Sequence, residues 1–200
     1  GEHHNGSEGD NMKRLIYILS LLFILAWASP GHADEALDWY LKGNTLSREG
    51  NYDAAVDAYL KAIRINPDAT GPFYNMGIAY KRLGQFPQAA GAFEAAHRLE
   101  PDNLNIRFSL GNIYNLMERW EEAIGHLNYV VHRDPENAEA HGNLGWAFLN
   151  FDKGPPFKML VIANLEKAVS LFEAQGLKQP ALATQETLEQ ARKKFGYKKE

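Results

Sequence analysis

From Ala36 to about Leu171 the apolar residues of this chain fall three and four apart in short runs, with turn residues and prolines between the runs. That spacing puts the apolar residues of each run on one helical face. In the first pair of runs, Trp39, Gly43 and Leu46 share a face of a helix over about Ala36–Arg48. Gly50 and Asn51 make the turn, Ala55, Tyr59 and Ala62 share a face of the next helix, and Pro67 stops it. The whole arrangement then recurs. Glycines stand at Gly43, Gly77, Gly111 and Gly145, separated by one constant step. The same step relates Pro67, Pro101 and Pro135, the alanines Ala55, Ala89 and Ala123, the large residues Tyr59, Phe93 and Leu127, and the small residues Ala62, Ala96 and Val130. Five rows with one period define a repeated unit of two amphipathic helices. Small residues mark where the two helices approach closely, and large ones fill what remains. A single pair cannot bury its apolar face alone, so consecutive units must stack on a shared core.

The rows also resemble a known family. Phe73, Met76, Gly77, Tyr80, Ala89, Phe93, Ala96 and Pro101 follow the order of the tetratricopeptide repeat, with methionine in place of its leucine. The unit from Ala36 supplies Trp39, Gly43, Ala55, Tyr59, Ala62 and Pro67, but has Lys42 and Leu46 at the leucine and tyrosine places. The unit from Leu104 keeps Leu110, Gly111, Tyr114, Ala123 and Pro135, while Arg107 and Val130 depart. A fourth unit begins with Leu144, Gly145 and Phe148. Its second helix resumes late at Leu165 and Ala168, after a short insertion at Asp152-Lys153-Gly154-Pro155-Pro156. The expected fold is therefore all-α: four helix pairs (36–69, 70–103, 104–137 and 138–175) and a C-terminal capping helix over about 180–195. Ala181, Thr184, Leu188, Ala191 and Phe195 form the inner stripe of that last helix, and the resemblance implies an α-solenoid wound as a right-handed superhelix.

Residues 1–11 are polar and read as an upstream or appended segment outside the fold. Met12, Lys13 and Arg14 precede an uncharged run, Leu15–Trp27, followed by Pro30, Gly31 and Ala33. Positive, apolar, breaker, small-x-small is the order of a secretory signal peptide, here over 12–33 with a cut before Asp34. The apolar run is short for a membrane span. The sequence thus predicts an exported, periplasmic domain over 34–200, with an inner-membrane anchor facing the periplasm as the alternative if the segment is retained.

Composition narrows the chemistry. A hydrophobic share of 45% with 23% charged residues is a globular balance, and a net charge of −4 offers no bulk attraction for nucleic acid. The absence of cysteine excludes disulfides, thiolate metal sites and a lipidated cysteine. No phosphate loop, nucleophile elbow or zinc-protease motif is present. His126 and His132, six apart, do not share a helical face, and His141 stands at an aromatic place as a packing residue. The sequence therefore predicts no enzyme, no cofactor and no metal.

The resemblance implies that first helices line a concave groove. Beside the anchors run Tyr40, Tyr74 and Phe108, then Asn75 and Asn143, then Asn44 and Asn112, with Lys81 and Arg82 at a helix end. Aromatics give contact area, and an asparagine amide pairs with both the N–H and the C=O of an extended chain. The family's carboxylate clamp grips acidic chaperone C-termini with basic residues and asparagine. Asn44 and Asn75 stand at its asparagine places, but Tyr40, Asn105 and Ser109 stand where basic residues belong, so that function is not implied. The sequence predicts an envelope adaptor binding a peptide segment or partner protein in the groove. The alternative is a structural subunit of an oligomeric or membrane-associated envelope assembly.

Overall fold

The computed structural model describes Lys13, residues 30–151 and residues 157–197. The leader-like run and the expected insertion at 152–156 fall outside the described residues, apart from the start of the first helix. The described helices are α1 (Pro30–Arg48), α2 (Tyr52–Ile65), α3 (Thr70–Arg82), α4 (Phe86–Leu99), α5 (Leu104–Leu116), α6 (Trp120–Arg133), α7 (Ala138–Asn150), α8 (Lys158–Ala174) and α9 (Lys178–Lys194). Among the described residues there is no strand, and no helix is long and apolar enough to cross a membrane. Two compact units result, one ending at Pro72 and the other starting at Phe73.

Three prolines stand inside helix starts, and one of them, Pro30, was expected as a breaker. α1 begins at Pro30 instead of near Ala36, Pro72 lies in the first turn of α3, and Pro180 lies in the first turn of α9. First-turn N–H groups have no partner within their own helix, so a proline there forfeits nothing and its fixed φ suits the helix. Pro67, Pro101 and Pro135 do follow helix ends.

Each anchor glycine is a point of contact within its own pair. A Cβ on Gly43 would lie 2.5 Å from the Tyr59 ring, one on Gly77 2.7 Å from the Phe93 ring, one on Gly111 2.5 Å from Leu127 and one on Gly145 2.7 Å from Leu165. Tyr59, Phe93 and Leu127 follow their glycines at one shared offset, and Leu165 follows Gly145 at a longer one. The longer offset therefore leaves the pair's glycine contact intact.

Turns also repeat. Glycines with positive φ close α1 at Gly50 (82°) and α3 at Gly84 (72°), and the same place after α5 holds Glu118 at φ 58°. At each, the next residue's N–H bonds back to a carbonyl of the last turn: Asn51 to Leu46, Gln85 to Tyr80, Arg119 to Tyr114. Asn103 caps α5 by accepting from the N–H of Asn105 and Ile106, and Asn137 caps α7 by accepting from that of Ala140.

Residues that face a preceding repeat change character at the first pair. Ile106, Leu110 and Ile113 on α5, and Ala140, Leu144 and Ala147 on α7, are buried in one core with Ala89, Phe93 and Ala96 of α4. The equivalent positions on α1 are Asp38, Lys42 and Thr45, all exposed. The Trp39 ring beside them is covered by ammonium groups, Lys61 at 4.0 Å and Lys42 at 4.8 Å. This explains why lysine stands at the leucine place of the first unit. At the far end, α9 packs on α8 and touches α7, burying Ala181, Leu188 and Ala191. Its charged residues hold it in place: Arg192 pairs with Glu166 at 2.6 Å, and Lys194 Nζ donates to the Leu149 carbonyl at 3.0 Å.

Candidate functional site

The helical period brings the amides of the second unit's first helices together. Asn112 and Asn143 are 31 residues apart, yet Asn143 Nδ2 donates to Asn112 Oδ1 at 2.6 Å. The bond uses one N–H of Asn143 and Asn112 Oδ1, leaving both N–H groups of Asn112 and the Oδ1 of Asn143 without a partner among the described residues. Asn115 Nδ2 donates to the Asn143 backbone carbonyl at 3.0 Å, and its Oδ1 is buried without a hydrogen bond. These three amides, Lys81, Leu116 and Trp146 line a groove of about 480 Å³. Leu116 and Trp146 are 49% and 41% exposed, apolar area beside polar groups able to fix an orientation. Asn115 lies near the asparagine row that the sequence reading picked out, whereas Leu116 and Trp146 were not predicted; the signal for Trp146 is that it stands one full repeat after Asn112.

Other predicted residues divide. Phe108 is half-buried against the core, and the Tyr74 ring packs 5.6 Å from that of Phe93 while its hydroxyl accepts from Ser109 Oγ at 3.3 Å. Asn75 is half-buried, and Arg82 is exposed at the end of α3. In the first unit the Tyr40 and Tyr59 rings lie 6.1 Å apart, and the Tyr59 hydroxyl donates to Asn44 Oδ1 at 2.9 Å, so that amide braces its own helix pair. Two departures from the aromatic anchor are polar substitutes. The Arg107 guanidinium stacks 3.7 Å over the Tyr129 ring and donates to the Pro101 carbonyl at 2.7 Å. His141, expected to be a packing residue, bridges Asn164 Oδ1 at 2.8 Å and the Pro135 carbonyl at 3.1 Å.

A second cluster lies between α4, α5 and α6. His97 and His126 meet edge to face at 5.4 Å, and His126 stacks on Tyr114 at 5.7 Å. Both Nδ1 atoms are buried without a hydrogen bond. Burial, then the charge of His97 and Arg107, lowers the pKa of His126 to about 4; burial and Arg107 lower that of His97. Tyr114 donates to Glu94 at 2.6 Å, and burial with that bond raises its pKa. Spacing along one helix does not reveal this pair, whose members come from two different repeats. Among the described residues no group of three or more His, Cys, Asp or Glu could hold a metal ion.

Helix pairs recurring at a fixed interval, with an amide-lined groove on the first helices, define an α-helical repeat protein of the interaction type. A TPR repeat profile matches residues 43–84 and a tetratricopeptide repeat profile matches residues 82–144, together about half of the chain. The chain is a tetratricopeptide-repeat protein. Among solved structures it resembles MamA (41-end) of Desulfovibrio magneticus RS-1, with 23% identity, 82% of this chain and 92% of that chain covered, and a TM-score of 0.66. It also resembles the first TPR of Spaghetti (RPAP3) bound to the HSP90 peptide SRMEEVD, with 28% identity over 57% of this chain and 91% of that one and a TM-score of 0.55. A third is YrrB, described as a TPR protein with an unusual peptide-binding site, at 18% identity over 85% and 92% with a TM-score of 0.62. No curated protein matches the sequence.

Proposed function

We propose that this chain is a non-catalytic scaffold that holds an extended segment of a partner protein along the first helices of its second unit, at Lys81, Asn112, Asn143 and Trp146. One observation carries the reading: beyond its own bond the Asn112–Asn143 pair keeps amide N–H donors on Asn112 and an Oδ1 acceptor on Asn143 in a half-apolar groove. A peptide unit offers the complementary acceptor and donor whatever its side chain, so such a pair reads backbone in a sequence-tolerant way. RPAP3's first TPR is bound to an acidic peptide. In this chain Tyr40, Asn105 and Ser109 stand at the clamp's basic places, which favours a different class of segment. The leader-like pattern at 12–33 supports export, and N-terminal sequencing of the protein from an exporting host tests that part.

The groove is tested by titrating a library of capped extended peptides against the chain and its variants. Asn112→Ala and Asn143→Ala should each weaken the best peptide by about 1 kcal/mol, several-fold in affinity. The double variant should lose less than the sum, because either change releases the other amide. Unchanged affinity in all three variants would sink the assignment.

A further inference from the structure

Three places before each anchor glycine stands an aromatic ring, Tyr40, Tyr74 and Phe108, but the fourth such place holds Gly142. The rings at this place reach toward the next first helix. Tyr40's hydroxyl would lie 3.1 Å from a Cβ on Gly71, and Tyr74's meets Ser109 on α5. For the fourth repeat the helix in that position is α9, and between α7 and α9 lies an open trough of about 430 Å³. Gly142, Leu165, Phe172 and Ala183 line it, with Trp146 and Glu139 among its walls.

Packing does not require this glycine. A Cβ on Gly142 would sit at ordinary distances, 3.7 Å from Ala168 and 4.0 Å from Thr184, unlike the clash at Gly145. Glycine inside a helix weakens it relative to alanine, so the residue costs stability and leaves space. The space continues into the groove described above through Asn143 and Trp146, which line both. Among the described residues Glu139 is the one charged side chain lining the trough; it is exposed and makes no ion pair or hydrogen bond with them.

We propose that the trough is the vacancy of the missing fourth ring and is filled by an aromatic side chain of the bound segment, with a lysine or arginine next to that ring facing Glu139 and the Trp146 face. The inference rests on the groove reading of the proposed function and adds the class of segment. An apolar floor selects the ring, a lone carboxylate selects the cation, and an indole face accepts either.

The test uses capped short peptides with Phe beside Lys, the same peptides with Ala for Phe or Glu for Lys, and benzylamine, followed by NMR of the full chain. The Phe–Lys peptide should shift the Gly142 amide and Trp146 indole signals together with the Asn112 and Asn143 side-chain amides. It should bind about tenfold tighter than the Ala version. Gly142→Phe should abolish that preference and raise Tm by about 2–4 °C, since the ring completes the row. Glu139→Gln, a rim change that leaves the core untouched, should erase the preference for Lys over Glu. Peptides that move the asparagine signals but not Gly142 and Trp146, or that bind equally without Phe, overturn the trough and leave the groove standing. Peptides that move neither set overturn both. Benzylamine binding as tightly as the peptide overturns the segment as occupant in favour of a small aromatic cation.

Discussion

Gly77 and Gly91 look alike in the sequence, both being glycines inside a helix, and the structure gives them opposite meanings. A Cβ at Gly77 meets Phe93 at 2.7 Å, whereas one at Gly91 or Gly125 meets nothing within 4 Å. Gly77→Ala and Gly111→Ala should each cost about 1–3 kcal/mol, and Gly77→Leu should unfold its pair. Gly91→Ala and Gly125→Ala should instead add about 0.5–1 kcal/mol through helix propensity alone; denaturant titration separates the two classes. The period made Gly77 legible, because it recurs opposite a large residue. His126 belongs to this scale too. Its imidazole is neutral in the fold, with a pKa of about 4 against 6.5 ordinarily. A depressed histidine pKa means the unfolded chain binds the extra proton, so the contribution is complete above about pH 6.5 and is lost as pH falls toward 4. Arg107 also disfavours that proton, while Glu94 and Glu122 favour it. After discounting for a partly exposed ring, the loss is about 2 kcal/mol. His126→Phe, which keeps the stack on Tyr114, should flatten Tm between pH 6.5 and 4.

Among elements, the turn after α5 is the irregular member of a regular set. Gly50 and Gly84 take positive φ without penalty, and Glu118 takes it against a steric cost of about 1 kcal/mol or more. Glu118→Gly should therefore raise stability by about 1 kcal/mol, visible as a higher midpoint in urea. An unchanged or lower midpoint would show that Glu118 stabilises the turn in another way. Helices and their pairing were legible because each helix carries its own apolar periodicity and its own turn chemistry. Helix starts were less so. Proline signals a boundary without saying whether it stands after an end, as Pro67 does, or inside a start, as Pro30 does at the head of α1. The candidate site was half legible: sequence offsets put Asn112 and Asn143 on first helices, but their hydrogen bond depends on how one repeat is set against the next. The same limit hid the role of Asn44, whose Oδ1 is taken by Tyr59.

At the scale of the whole molecule, the array is finished differently at its two ends. Asp38, Lys42 and Thr45 replace apolar residues at the start, and α9 covers the last pair with a charged outer surface. Polar outer faces on terminal repeats keep such arrays from adhering to one another. Asp38→Ile with Lys42→Leu and Thr45→Ile recreates on α1 the surface that α5 and α7 bury. That triple variant should associate with rising concentration, readable by sedimentation as a mass increase over the parent at the same concentration. A triple variant that keeps the parent's mass at high concentration would show that these three residues are not what terminates the stack.

The polar face of α1 also constrains how such a chain can lengthen. A copy of residues 104–137 inserted after Asn137 would meet, ahead of it, the helix that now packs on α7, presenting Ile106, Leu110 and Ile113 where Ala140, Leu144 and Ala147 stand, and behind it α7, as its original does. The same copy placed ahead of Ala36 would meet aspartate, lysine and threonine and dangle unjoined. A repeat duplicated within the array thus keeps apolar surfaces on both sides, and one added at its front gains a polar one, so the face of α1 favours growth from the inside.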